Sequence, residues 1–549
     1  MSTSGVRQSP TRLSADASVA STPSLLGRAS PGVLIALVAI AAFVSIGPAL
    51  DDAYIVYRYV VRFVGGQGLT FNDNEYVEGF TSLVWTLLVS LAAWITGLKV
   101  HVVSVVLNYL TIVLTAVATS RMLRVLNVPS GMRMVAVALM ATSALYFRVV
   151  YIGLEFGLYS FLLVCFFWAL FSTAPDSSQP STRAPIVAGG CAGALAGTRP
   201  ESVVLAPLVC AVMLALGRGR GRIRSVAYLC AAWAVVTGPI LLWRLLTYGE
   251  WLPNSVIAKA IDPHAFRNSW PVLQRGVGYV IDAYTQSPAI AMMLVAVTAG
   301  IVLAPARRLE LMLLCAPLVV GHAAVVQNGG DWMPYFRFVA VLTPIYIAGF
   351  CVATAEWLGR RSRAAAASVV VVAAVHLASN ARVAELSFAP RIGSFDGWMD
   401  LYRQAGGALR HVWLRDDILV AEAIGMIGYE APDIYLHDPL GLTDRHLAHD
   451  PAARRSLYGR SNWRYSVGLD PALILLHYWP HQRSWPSFAR GYPADYAFYV
   501  IPWTRNGPKR CLYAIVRKDR ADEYGPALQQ LNGRAVAYDE VRYPCEPAR

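Results

Sequence analysis

Residues 33–55 read VLIALVAIAAFVSIGPALDDAYI. Val33 to Leu50 carries no charge, and a helix that crosses a bilayer needs about 20 mostly apolar residues. The run empties directly onto two adjacent carboxylates, Asp51 and Asp52. This is the pattern of a membrane span that delivers acids to the water interface, where charges are costly and usually functional. A cleaved signal peptide would end similarly at Gly47-Pro48-Ala49. The long segment before it and the many apolar runs after it favour an uncleaved first helix.

Those runs follow at Phe80–Gly97, Val102–Thr119, Val135–Val150, Leu158–Phe171, Pro185–Gly197, Val203–Leu216, Ala227–Leu246, Ala289–Leu303, Leu311–Val326, Phe338–Ala353 and Ala364–Ala378. Composition agrees: the 549 residues are 56% hydrophobic and only 15% charged, against roughly 25% charged in soluble domains. That deficit excludes disorder and argues against a fully soluble chain. The net charge of +13 is almost all arginine, the lysines being Lys99, Lys259, Lys509 and Lys518. In a polytopic chain such charge belongs to cytoplasmic loops rather than to a nucleic-acid surface. No nucleic-acid partner is expected; the lipid bilayer is.

Arginine clusters at Arg121/Arg124/Arg133, Arg218/Arg220/Arg222/Arg224, Arg307/Arg308 and Arg360/Arg361/Arg363 all fall inside only if Phe80–Gly97 does not cross. Eleven crossings of the cytoplasmic (inner) membrane result. The expected domains are a flexible cytoplasmic tail (1–31), a helical membrane domain (32–378) with a first periplasmic loop at 51–100, and a periplasmic domain (379–549). In the last, Asp417–Ala421, Ile434–His437, Leu473–Leu476, Tyr496–Pro502 and Leu512–Arg517 read as strands and Trp398–Val412 as a helix, a mixed α/β fold. Cys511 and Cys545 lie in this polar tail and can pair in an oxidising compartment; the other cysteines sit in apolar runs.

That topology gathers the unusual residues on the outer face. Asp51 and Asp52 are joined there by Glu78, Glu155, Arg199-Pro200-Glu201, Trp251-Leu252-Pro253-Asn254 with Lys259, and Gly329-Gly330-Asp331-Trp332 with Arg337. Each has a plain structural alternative. Asp51-Asp52 can end a helix in water, Glu155 can pair with Arg148, Arg199 with Glu201, and Lys259 can snorkel to headgroups. Convergence on one face favours a site. Outside the cell ATP and sugar nucleotides are absent, so a sugar donor must arrive in the lipid. A polyprenyl-phosphate sugar needs cations at its phosphate, for which Lys259, Arg199 and Arg337 are the candidates. A hydroxyl acceptor on a glycan, lipid or protein needs a carboxylate to take its proton: Asp51, Asp52 or Glu155, with Asp52 favoured. Glu78, Trp251, Asn254, Asp331 and Trp332 are candidate substrate contacts. Asp51, Asp52 and Glu155 together would also suit a hard cation such as Mg, Mn or Ca. A transporter or flippase would show inverted repeats and mid-membrane polar residues in both halves, and neither is visible. A non-catalytic membrane protein whose tail binds glycans leaves the acidic first loop unexplained.

The residues Asp51-Asp52-Ala53-Tyr54-Ile55, Gly66-Gln67-Gly68-Leu69, Phe71-Asn72, Glu75, Val77-Glu78, Thr81-Ser82 and Trp85-Thr86 resemble membrane GT-C glycosyltransferases. More narrowly they resemble the terminal β-(1→2) arabinofuranosyltransferases of mycobacterial cell-wall arabinan. Gly153-Leu154-Glu155, Arg199-Pro200-Glu201, Trp251-Leu252-Pro253-Asn254 with Lys259, and Gly329-Gly330-Asp331-Trp332 extend the resemblance along the membrane part, and Ile424-Gly425-Met426-Ile427-Gly428-Tyr429 followed by Gly441-Leu442-Thr443-Asp444 extends it into the tail. Asp73-Asn74 and Phe63 depart from it. The resemblance implies a GT-C fold with juxtamembrane helices in the first outer loop, a catalytic Asp just after the first span, and a polyprenyl-phosphoryl arabinofuranose donor.

Overall fold

The computed structural model describes residues 31–47, 49–172, 181–217, 221–259, 266–333, 335–359, 363–385, 397–456, 458–478, 495–503 and 510–536. Apart from Pro31, the expected tail 1–31 lies outside the described residues, as does Cys545. The membrane part is helical: α1 Pro31–Val44, α2 Asp51–Val64, α3 Leu83–Thr96, α4 Val100–Val125, α5 Ser130–Ala141, α6 Ala144–Val150, α7 Phe156–Phe171, α8 Arg183–Thr198, α9 Leu205–Leu216, α10 Gly221–Tyr248, α11 Asn254–Lys259, α12 Phe266–Gln286, α13 Pro288–Leu303, α14 Arg308–Asn328, α15 Arg337–Ala340, α16 Thr343–Gly359 and α17 Arg363–Glu385.

Among the described residues, four helices are long and apolar enough to cross a membrane: Val100–Val125, Gly221–Tyr248, Pro305–Asn328 and Arg363–Ala381. Counting each of two bent pairs, α5 with α6 and α12 with α13, as one span gives six. Length and composition therefore do not reach the expected eleven crossings. The shortfall lies in apolar helices of 10–17 residues. α7 shows the reason. Its 16 residues rise about 24 Å, less than the ~30 Å hydrocarbon core.

The 58° bend between α5 and α6 matters for the site. His376 and Asn380 of α17 meet the backbone groups the break leaves free, at the Leu139 carbonyl (2.9 Å) and the Leu145 N–H (3.1 Å). The bend directs α6 toward α2. There the Leu50 N–H donates to the Ile152 carbonyl (3.0 Å) and the Tyr57 hydroxyl to the Gly153 carbonyl (3.1 Å). Gly153 has φ +94°, and a Cβ there would meet the Tyr57 hydroxyl at 2.5 Å; only glycine suits this approach. Glu155 follows at once, held at the start of α7.

Beyond α17, helices alternate with strands: α18 Gly397–Leu409, β1 Leu419–Ala421, α19 Ile424–Glu430, β2 Leu436–His437, α20 Arg445–His449, β3 Arg454–Arg455, β4 Arg460–Ser461, α21 Trp463–Gly468, β5 Leu473–Tyr478, β6 Tyr496–Trp503, β7 Arg510–Arg517, α22 Ala521–Gln530 and β8 Arg534–Val536. Six strands form a sheet in the order β2-β1-β5-β7-β6-β8, parallel across β2-β1-β5 and antiparallel thereafter. Strand side chains alternate between faces, and β5 shows the consequence. Leu473 and Leu475 join a core continuous with the membrane helices, whereas Ile474 and Leu476 build a separate small core with Phe498, Val500 and Tyr513.

Candidate active site

α2 is the hinge of the site. Ten of its 14 residues are buried, because one side packs on membrane helices and the other on α19 of the tail. Successive residues of a helix point about 100° apart, so Asp51 and Asp52 look in different directions. The Asp51 carboxylate accepts the Met426 N–H (2.8 Å) and the Gly425 N–H (3.1 Å) in the first turn of α19. Burial pushes Asp51 up to about 7, opposed by these two hydrogen bonds. The same seam holds Arg58 against the carbonyls of Phe71 (2.8 Å), Ile434 (2.7 Å) and Pro432 (3.3 Å). Burial and the neighbouring Arg62 pull Arg58 down to about 9. Arg62 reaches Pro432 (2.9 Å) and pairs with Asp73. Asn72 joins Leu436, and Tyr435 bonds Glu75.

Asp52 faces a cavity of about 150 Å³ instead. Its wall takes Glu155 from the turn before α7, Arg199 and Glu201 from the turn after α8, and Ser255 and Lys259 from α11. Asn328 ends α14, Arg337 opens α15, and Leu442 comes from the tail. Arg199 is shared: Nη1 meets Glu155 at 3.1 Å and Nε meets Glu201 at 2.6 Å, with its guanidinium beside the Phe156 and Phe338 rings. Arg337 pairs with Asp331 at 2.6 Å and feels the charge of Asp52. Among the described residues, neither the Asp52 carboxylate nor the Lys259 ammonium has an ion-pair or hydrogen-bond partner, though both line this cavity. A free acid and a free base in one partly enclosed space are poised to act on something else.

The structure thus brings Asp52, Glu155, Arg199, Lys259 and Arg337 together and separates others. Asp51 is turned to the tail. Glu155 is held by Arg199, not by Arg148. Glu78 is buried in a two-pronged pair with Arg244. Asn254 donates to the carbonyls of Gly441 (2.9 Å), Leu442 (3.0 Å) and Asp444 (3.2 Å). Asp331 supports Arg337 from outside the cavity lining, Trp332 meets Tyr458 of the tail, and Trp251 is exposed. The oxygen cage considered for Mg, Mn or Ca is not formed by these residues. Asp51 points away, Glu155 grips Arg199, and no group of three or more His, Cys, Asp or Glu among the described residues is arranged to hold an ion. Sequence reasoning does not single out Arg244, Ser255 or Asn328. Arg244 carries a signal, a charge inside the apolar run Ala227–Leu246. Ser255 carries one too, the four-residue spacing to Lys259.

Residues 397–516 match a family model described as a domain of unknown function, DUF8728. A terminal β-(1→2)-arabinofuranosyltransferase of Mycobacterium tuberculosis is 29% identical over 275 residues, 47% of this chain and 41% of that protein. The match therefore spans less than half of the relative's length. ArnT from Cupriavidus metallidurans superposes with a TM-score of 0.55 at 13% identity over 88% of this chain and 97% of its own. The same protein bound to undecaprenyl phosphate gives 0.51 at 12% identity, over 88% and 97% of the two chains. The oligosaccharyltransferase AglB from Archaeoglobus fulgidus, in complex with an inhibitory peptide and a dolichol-phosphate, gives 0.51 at 12% identity over 87% of this chain and 74% of its own. The chain has the fold of GT-C membrane glycosyltransferases. In sequence it is similar to a terminal arabinofuranosyltransferase.

Proposed function

We propose that this protein transfers a sugar, arabinofuranose, from a polyprenyl-phosphate donor to a glycan, lipid or protein acceptor at the outer face of the cytoplasmic membrane. The carrying observation is the cavity that holds Asp52 and Lys259, both without a partner among the described residues, beside two guanidiniums. Asp52 takes the acceptor hydroxyl proton as its oxygen bonds to the anomeric carbon. The bond from that carbon to the phosphate oxygen breaks, and polyprenyl phosphate leaves with the electron pair. Lys259 and Arg337 hold the growing phosphate charge, while Arg199 fixes Glu155 and Glu201 in the wall. The lipid phosphates named in the structures of ArnT and AglB support a donor of this class. The sequence relative supports arabinofuranose. Eleven crossings with the tail in the periplasm complete the reading, since that places the cavity where lipid-linked sugars are the available donors.

Purified protein in lipid nanodiscs, given labelled polyprenyl-phosphoryl arabinofuranose and an arabinan oligosaccharide, should move label into the acceptor. Failure with this donor and with polyprenyl-phosphate hexoses would refute the reading. The proposed Cys511–Cys545 bond tests the location of the tail. Cys511 is disulfide-bonded, and a bond to Cys545 would pin the chain end in an oxidising space. Maleimide labelling of both thiols in denatured, unreduced protein would contradict the bond.

A further inference from the structure

α11 is tied to the tail at both ends. At its start, Asn254 donates to three carbonyls of the 441–444 segment. At its end, Arg455 of β3 donates to the Lys259 carbonyl. Between these ties, Ser255 and Lys259 stand one helical turn apart and share a face; both line the cavity. Ser255 is only 7% exposed, and among the described residues its hydroxyl has no hydrogen-bond partner. Buried hydroxyls are nearly always paired, and an orphan costs free energy until something satisfies it. This hydroxyl turns on a single χ1 bond with three staggered wells. Its face-mate is an ammonium with no acidic partner among the described residues. A ligand that satisfies both must be anionic and carry several acceptor oxygens, which describes a phosphate.

We propose that Ser255 and Lys259 form one phosphate subsite, in which hydroxyl and ammonium donate to different oxygens of the same phosphate and the tail fixes their spacing through both ends of α11. The proposal rests on the donor reading above and adds Ser255 as a donor-binding residue. Binding of undecaprenyl monophosphate to the protein in nanodiscs of zwitterionic lipid tests it, with Ser255→Ala, Lys259→Met and the double variant compared with wild type. Loss of a hydrogen bond to a charged group should weaken the Ser255→Ala complex about tenfold, raising the donor KM much more than it lowers kcat. The double variant should bind more weakly than either single variant, because each group donates to the same ligand. Equal affinity of wild type and Ser255→Ala, with wild type binding well, would overturn the subsite and leave the donor reading standing. A double variant that binds no more weakly than Lys259→Met would show that Ser255 acts only through Lys259 and would overturn its direct contact with the phosphate. Equal competition by phosphatidylglycerol would make the site one for bilayer headgroups. No binding by wild type would remove the donor reading itself.

Discussion

On the side of α2 turned to the tail, Asp51, Arg58 and Arg62 are each engaged by backbone or side-chain partners from residues 425–434 or from the first loop. On the side turned to the cavity, Asp52 has no such partner among the described residues, and Lys259 stands in the same wall. The seam buries its charges, which is expensive without compensation, and there the compensation is built into the fold, so the charges bear docking. In the cavity Asp52 and Lys259 are only half-buried, so they bear no such cost and stay open to a ligand. Neighbours in sequence, Asp51 and Asp52 thereby take different duties.

The largest effect expected is on a partnered pair. Glu78→Ala leaves Arg244 buried without its carboxylate, which should cost about 3–5 kcal/mol of stability. A Glu78→Leu, Arg244→Leu double variant should recover most of that loss in denaturant or thermal unfolding. If the single change is harmless, the partnered charges do not bear the fold and the contrast fails. Asp52→Asn comes next. It should lower turnover by about 100-fold or more while leaving the melting temperature close to wild type, since it removes no bond of the described fold. Near-normal transfer by this variant would return the catalytic role to Asp51 or Glu155.

Asp51→Asn is the mirror experiment, with the smaller effect. It keeps one acceptor but sets an amide N–H against a backbone N–H, and should cost about 1–3 kcal/mol. Faster amide exchange should be confined to 424–430 and its neighbours. Gly425→Ala should act likewise, because a Cβ there would overlap the Asp51 carbonyl oxygen. The pH dependence sharpens the point. Burial lifts Asp51 from 3.8 to about 7, so between those values the folded chain keeps a proton that the unfolded chain releases. Its contribution to stability is full below about pH 4 and is lost as pH climbs through about 7. Asp51→Asn should flatten that part of the wild-type profile. A difference between the two proteins that is constant from about pH 4 to about pH 8 would contradict the raised value.

Much of this is legible in the order of the amino acids. Continuous apolar runs mark the helices. Those at Leu473–Leu476 and Leu512–Arg517 mark strands buried on both faces. The arginine clusters lead to the expectation that Asp52, Glu155, Arg199, Lys259 and Arg337 share the opposite face, and the structure brings these five to one cavity lining. These signals are short-range: a period, a run or a cluster within a few dozen residues. Partner choice is not short-range. Asp51 meets Met426 across 375 positions, and Glu78 meets Arg244 across 166. Nothing local in either segment names the other, and charge pairs depend on distances of a few ångströms that only packing sets. The order of residues alone was enough for a chain of many apolar helices with an acidic segment after the first of them. Packing was needed to show which of two adjacent aspartates has no partner among the described residues, that Glu155 answers to Arg199, that Asn254 ties the tail rather than lining the cavity, and that the Ser255 hydroxyl is unpaired among the described residues. The physical reason is that helix phase points a side chain, while long-range packing supplies or withholds what it meets.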